Sequence, residues 1–258
     1  MRSRSLLIVG LAALGAAIAA AAALAGPVVT GRDGNTQSID SVIKPKRLPK
    51  DRAAPATLEV STSTTSTTDP AGVPSPAVHA TIDFDRNAAI FTKGLPTCSP
   101  SQVTGKSTEE AERACGRAKI GSGKALAYLR SSRVYEVPQT VTAFNGSPEG
   151  GRPVVILHTY GTTPLQASLV LVGTVTRYDK EGYGPRLDLE IPLIAGGTGA
   201  LKEFQVRINR RWTYKGRKRS FISARCPSSK RLKTRGEFTY RDGESLTAYS
   251  KQTCAQAP

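Results

Sequence analysis

The chain has 258 residues, with 36 Lys and Arg against 20 Asp and Glu and a formal net charge of +16. That length suits one large domain or two small ones, and the charge favours polyanionic partners. Beyond the first 25 residues no stretch is long or apolar enough to span a membrane.

Residues 1–25 read as a signal peptide. Arg2 and Arg4 give a positive start, Leu6 to Ala25 is an almost unbroken apolar run, and Ala23-Leu24-Ala25 is an A-x-A cleavage site followed by Gly26. The rival reading is a retained anchor. Cleavage would remove the two arginines and leave +14, and export would place the chain outside the cell or on its surface. Four cysteines in an exported chain point to two disulfides, because that compartment is oxidising.

Residues 26–54 show no helical or strand period and carry Lys44, Lys46, Arg47, Lys50 and Arg52 among scattered prolines. They read as a flexible basic linker, with a domain over 55–258. Leu58 and Val60 alternate with polar residues, so the first strand is expected near 57–65, before a turn at Asp69-Pro70. Val78, Ala80, Ile82 and Phe84 alternate with His79, Thr81, Asp83 and Asp85, the pattern of a half-buried strand. Leu187, Leu189, Ile191 and Leu193 repeat it around Asp188 and Glu190. Val154 to Leu157 and Leu169 to Val175 are continuous apolar runs, as in strands covered on both faces. Many short strands between turn signals predict an all-β fold, an antiparallel β-sandwich ending in a meander. One segment differs. Ser107-Thr108-Glu109-Glu110 is a capping box, so a short helix is expected over 108–119, stopped by Gly121-Ser122-Gly123.

Register pairs the cysteines. A three-residue loop, Tyr214-Lys215-Gly216, would set Ile208 against Ile222 and Phe204 against Cys226. A loop of Arg241-Asp242-Gly243 would pair Phe238 with Leu246 and put Cys254 opposite Lys230, four residues after Cys226. Cys226 is therefore expected to bond Cys254, leaving Cys98 for Cys115.

The strings IDFDRNAAIFTKGLPTC, CGRAKIGSGKA, QTVTAFNG, EGYGPRLDLEIPLIAGGTGAL and RDGESLTAYSKQTC resemble exported four-cysteine proteins encoded in multiple copies by some soil actinobacteria. The resemblance spans most of the chain after the leader. It implies export and the four-cysteine layout, and it carries over no catalytic residue.

No set of residues reads as catalytic. His79 and His158, the only histidines, have no Cys, Asp or Glu at ligand spacing, so no metal site or cofactor is expected. Asp83-Phe84-Asp85 starts like a calcium loop, but Ala88 replaces the required Gly and Gly94 the closing Glu. Asp188 and Glu190 share a strand face as glycosidase acids can, without flanking aromatics. Cys226 near His158 would suggest a cysteine transpeptidase, but only as a free thiolate. Gly196-Gly197-Thr198-Gly199 lacks the Lys-Ser or Lys-Thr of a phosphate loop and reads as a strand connection.

The most specific patch is Arg210, Arg211, Trp212, Tyr214, Lys215, Arg217, Lys218 and Arg219. Cations interleaved with aromatics hold anions and stack on rings. Between Leu201 and Lys251 fifteen Lys and Arg face four acids, a net of +11. The expectation is a non-catalytic cell-envelope module with affinity for anionic cell-wall polymers or acidic polysaccharide, without sequence-specific nucleic-acid binding. The alternatives are a carbohydrate-active enzyme on a β-sandwich and a self-associating surface or adhesin subunit.

Overall fold

The alternating runs form strands, and strands dominate the computed structural model: 61% of the described residues are strand and 8% helix. It describes residues 26–164 and 166–257; the expected signal peptide lies outside the described residues. The first strands are β1 (Val29–Thr30), β2 (Asn35–Lys44), β3 (Arg47–Pro49), β4 (Ala54–Ser66), β5 (Ala77–Asp85) and β6 (Ala88–Ile90). The helical insert follows, with α1 (Pro100–Val103) and α2 (Thr108–Cys115). Then come β7 (Lys119–Arg130), β8 (Val134–Glu149), β9 (Arg152–Gly161), β10 (Ala167–Arg177), β11 (Tyr183–Glu190) and β12 (Gly199–Ile208). The chain closes with β13 (Arg211–Tyr214), β14 (Arg217–Ser220), β15 (Ile222–Ala224), β16 (Arg231–Tyr240), β17 (Ser245–Thr253) and β18 (Ala255–Ala257).

The fold is all-β and its main sheet antiparallel, in the order β1-β2-β4-β12-β7-β8-β9-β10-β11-β5-β16-β17. The facing layers of the expected sandwich belong to this one sheet, which wraps into a nearly closed barrel. At the seam, side chains of β17 stand in for a backbone ladder with β2. Ser41 N–H donates to Ser250 Oγ at 3.2 Å, and Ser250 Oγ donates to Asp40 at 2.7 Å. Gln252 accepts from the Ile43 N–H and donates to the Ile43 carbonyl at 2.7 Å. The edge groups of β2 are thus paired although no strand hydrogen bonds to it there.

Period two explains the interior. Leu58 and Val60 of β4, Ala80, Ile82 and Phe84 of β5, and Val155 and Leu157 of β9 point inward and are buried. They line a cavity of about 120 Å³ whose remaining walls are almost wholly apolar. The opposite faces of β8 and β9 carry a second core. Phe144, Val154 and Ile156 pack under Cys98, Val103, Ala111, Cys115 and Ala118 of the helical insert, with Val170 and Val172 of β10 beside them. The apolar runs in β9 and β10 are continuous for that reason: the barrel covers one face and the insert the other.

The capping box forms as expected, with the Glu110 N–H donating to Ser107 Oγ and the Ser107 N–H to Glu110. The helix itself stops at Cys115 and passes through a 3-10 turn, Gly116–Ala118, into β7. Gly121 and Gly123, expected as a helix stop, lie inside β7, where a Cβ on either would strike the Arg207 or Gln205 carbonyl of β12. Their absent side chains allow close strand approach.

The expected flexible linker over 26–54 is structured. β2 sits between β1 and β4, and β3 pairs in parallel with β18. Ile39 and Leu48 are fully buried. Three of the five inward residues of β2 are polar, Asn35, Gln37 and Ser41, and this hides the apolar period. Each finds a partner: Asn35 donates to Asp242 and Glu244, Tyr240 donates to Gln37 at 2.7 Å, and Ser41 bonds Thr234.

Both expected disulfides are present, Cys98–Cys115 and Cys226–Cys254. The second hairpin has the expected register, with Phe238 opposite Leu246 and the Cys254 N–H donating to the Lys230 carbonyl. The first does not. Lys215-Gly216 forms a two-residue loop with φ of 48° and 71°, so Trp212 faces Arg219 and Tyr214 faces Arg217. Two positive φ values mark the type I′ turn that suits a right-twisted hairpin. Ile208 is not a register partner of Ile222, because β12 lies between β4 and β7 while β15 joins β4 and β6. The burial rule chose the wrong register because it assumed that consecutive strands pair. The chain leaves the barrel at Asn209 and Arg210, whose N–H groups both donate to the Ile120 carbonyl.

Candidate functional site

The β13–β14 hairpin is a separate two-stranded sheet on the side of the barrel. Its aromatic residues turn inward. Trp212 stacks on Phe91 with centroids 5.8 Å apart and donates from Nε1 to the Lys93 carbonyl at 3.1 Å. Tyr214 meets Phe91 edge-on at 6.0 Å. Tyr214 also fills the space beside Gly94, whose φ of 81° a side chain would strain. By register Trp212 shares a face with Arg219 and Tyr214 with Arg217, with Lys215 Nζ 5.7 Å from the Tyr214 ring, while Arg211 and Lys218 stand on the other face. The rings anchor the hairpin, and its cations lie on both of its faces.

Arg211, Lys215, Arg217 and Lys218 are exposed, while Arg210 and Arg219 are half-buried. Arg219 lies over the Phe91 ring at 4.9 Å, and Arg210 donates to the Arg117 carbonyl at 3.4 Å. The Nε of both Arg210 and Arg219 is buried without an acceptor. Among the described residues none of these six cations pairs with a carboxylate, whereas Lys44, Lys119, Arg130, Arg177, Arg186, Lys202 and Arg235 all do. Partly desolvated cations without counter-charge favour an anion supplied from outside.

The outer face of β11, β5 and β16 shows the opposite arrangement. Asp83 is 1% exposed and accepts from Arg186 at 2.6 and 2.9 Å and from Arg235 at 2.7 and 3.0 Å. Burial pulls its pKa up, but the hydrogen bonds from the two guanidinium groups outweigh this and hold it below the ordinary carboxylate value. The two arginines also lie over the Tyr178 ring, at 4.0 and 5.2 Å. Asp85 accepts from Asn87 and from the Lys233 N–H, so the carboxylates that mimic a calcium loop are both engaged within the protein.

His158 is fully buried under the helical insert and donates from Nε2 to the Lys106 carbonyl at 2.9 Å. Burial lowers its pKa, so the ring is neutral. Cys226 is in a disulfide, which leaves His158 no thiolate partner. Asp188 and Glu190 line none of the cavities described. The largest of these is a groove of about 1270 Å³ on the opposite wall, bordered by Asp40, Ser61, Lys124, Thr140, Tyr160 and Phe204. His79, assigned no partner in sequence, lies on β5 opposite Glu190 of β11 and hydrogen-bonds Asp188 at 2.9 Å. Nothing local signals this contact, because the partners are 109 residues apart.

No helix among the described residues is long and apolar enough to cross a membrane. No family model, curated protein or solved structure matches the chain.

Proposed function

We propose that the protein is a non-catalytic binding module that engages polyanions through the cation cluster of the β13–β14 hairpin. The observation that carries this reading is the clustering of six cations, Arg210, Arg211, Lys215, Arg217, Lys218 and Arg219, within ten residues and with no carboxylate partner among the described residues. The Trp212–Phe91 stack fixes the hairpin, so little ordering entropy would be lost on binding. The two disulfides suit an oxidising compartment, where cell-wall phosphate polymers and acidic polysaccharides are the available polyanions. A glycosidase reading has less support, since Asp188 and Glu190 stand outside every described cavity. Retention of residues 26–258 on purified cell walls at low salt, with release at high salt, is the expected result. Absence of retention at low salt would remove this reading.

A further inference from the structure

We propose that His79, Asp188 and Glu190 form a surface site for one divalent transition-metal ion. Among the described residues they are the one group of three His, Cys, Asp or Glu side chains whose donor atoms lie close enough to share an ion, all within 4.8 Å of one another. His79 Nε2 is 2.9 Å from Asp188 Oδ1 and 3.9 Å from Glu190 Oε1. Ligands at about 2.0–2.2 Å around a tetrahedral ion stand about 3.3 Å apart, so the observed spacings straddle the required one. Small side-chain rotations would equalise them.

The backbone holds this geometry. Asp188 and Glu190 are two residues apart on β11 and face outward together, and Glu190 is the register partner of His79 on β5. β5 is itself flanked by β16, so it is a central strand of the sheet. The registers also show what surrounds the site. One row runs Val172, Glu190, His79, Thr239, Ser245; the next runs Thr174, Asp188, Thr81, Glu237, Thr247. Neither row contains a Lys or Arg. The nearest row that does holds Arg186 and Arg235, and both are committed to Asp83. In a chain of net charge +16, these rows form an acidic island with Glu237 as a third carboxylate.

The donor set selects the ion. One imidazole with carboxylates suits Zn²⁺, Ni²⁺ or Co²⁺, whereas Ca²⁺ and Mg²⁺ prefer oxygen alone. Binding requires the lone pair of His79 Nε2 to face the ion, with the proton on Nδ1. In the metal-free protein Nε2 donates to the Asp188 carboxylate at 2.9 Å, so the ion displaces that proton, the ring carrying its proton on Nδ1 instead, and replaces the hydrogen bond with a shared ligand position. The side chains are 32%, 45% and 83% exposed, which leaves the remaining coordination positions to water.

Titration of the mature chain with Zn²⁺, Ni²⁺ or Co²⁺ by calorimetry should give one equivalent bound. Affinity should fall at least tenfold in His79→Gln and in Glu190→Gln, and be unchanged in Glu203→Gln. In long-range ¹H–¹⁵N spectra the His79 ring signals should move on metal addition while those of His158 stay. All three substitutions are on the surface, and circular dichroism should confirm that each variant folds. Absence of binding up to 1 mM, retained affinity in His79→Gln, or tighter binding of Ca²⁺ than of Zn²⁺ would overturn the proposal and leave His79–Asp188 as a hydrogen bond alone.

Discussion

The β13–β14 hairpin and the β11–β5–β16 face use the same residue types to opposite ends. On the sheet face, Arg186 and Arg235 close on a carboxylate that is 1% exposed and stack over tyrosine. On the hairpin, six cations have no carboxylate, and aromatic rings hold the scaffold beneath them. Charge alone therefore does not identify a binding surface. Clustering without acids is the stronger sign: an arginine that has its acid within the fold is committed there, and six neighbouring cations without one remain open to an external anion.

The contrast breaks most sharply at Asp83. Removing a buried, paired charge leaves its partners uncompensated. Asp83→Asn is expected to cost about 3 kcal/mol, read as a lower urea midpoint with an unchanged slope. Acid sharpens the same point. Because the folded pKa of Asp83 is depressed, its contribution is present above the unfolded value of about 3.9 and is lost as pH falls through the lower folded value. Unfolding free energy measured from pH 5 to pH 2 should therefore fall more steeply in the wild type than in Asp83→Asn.

Next in size is the anchor of the hairpin. Trp212→Ala loses the Phe91 stack and the hydrogen bond to Lys93, which for a half-buried ring should cost about 2 kcal/mol. Hydrogen exchange should rise in β13 and β14 before the barrel strands are affected, and polyanion affinity should fall with every cation still present. The smallest effect on stability belongs to the cations themselves. Replacing Arg211, Arg217 and Lys218 with Gln should change stability by no more than about 0.5 kcal/mol, because these side chains are exposed and unpaired.

Much of this was legible in the sequence, for identifiable reasons. β5 and β11 alternate in sequence because their apolar residues face the core and their polar ones the outer face, where Asp83 and Asp85 are buried by their partners. The Ser107–Glu110 capping box and the Arg241-Asp242-Gly243 loop are local signals, and both disulfides followed from reasoning that included the second of them. β2 was missed because polar residues fill inward positions through hydrogen bonds to β16, β17 and the loop between them. The first hairpin register failed because the order of strands in the sheet departs from their order in the chain. The inward turn of Trp212 and Tyr214 depends on Phe91, which lies 121 residues before Trp212. His79, Asp188 and Glu190 converge only through a cross-strand register of the same kind.

The central claim, that unpaired hairpin cations bind polyanions, is tested most directly by salt dependence. Affinity for a long-chain polyphosphate would be measured between 50 and 300 mM salt, within about the range where counterion release is read. Wild type would be compared with the Arg211, Arg217, Lys218 triple Gln variant, and with a variant losing three cations elsewhere, Arg32, Arg47 and Lys50. The account predicts that the hairpin variant lowers the slope of log affinity against log salt by about two while the control variant keeps it. Equal slopes for the two variants, or no binding by the wild type at the lowest salt, would contradict it.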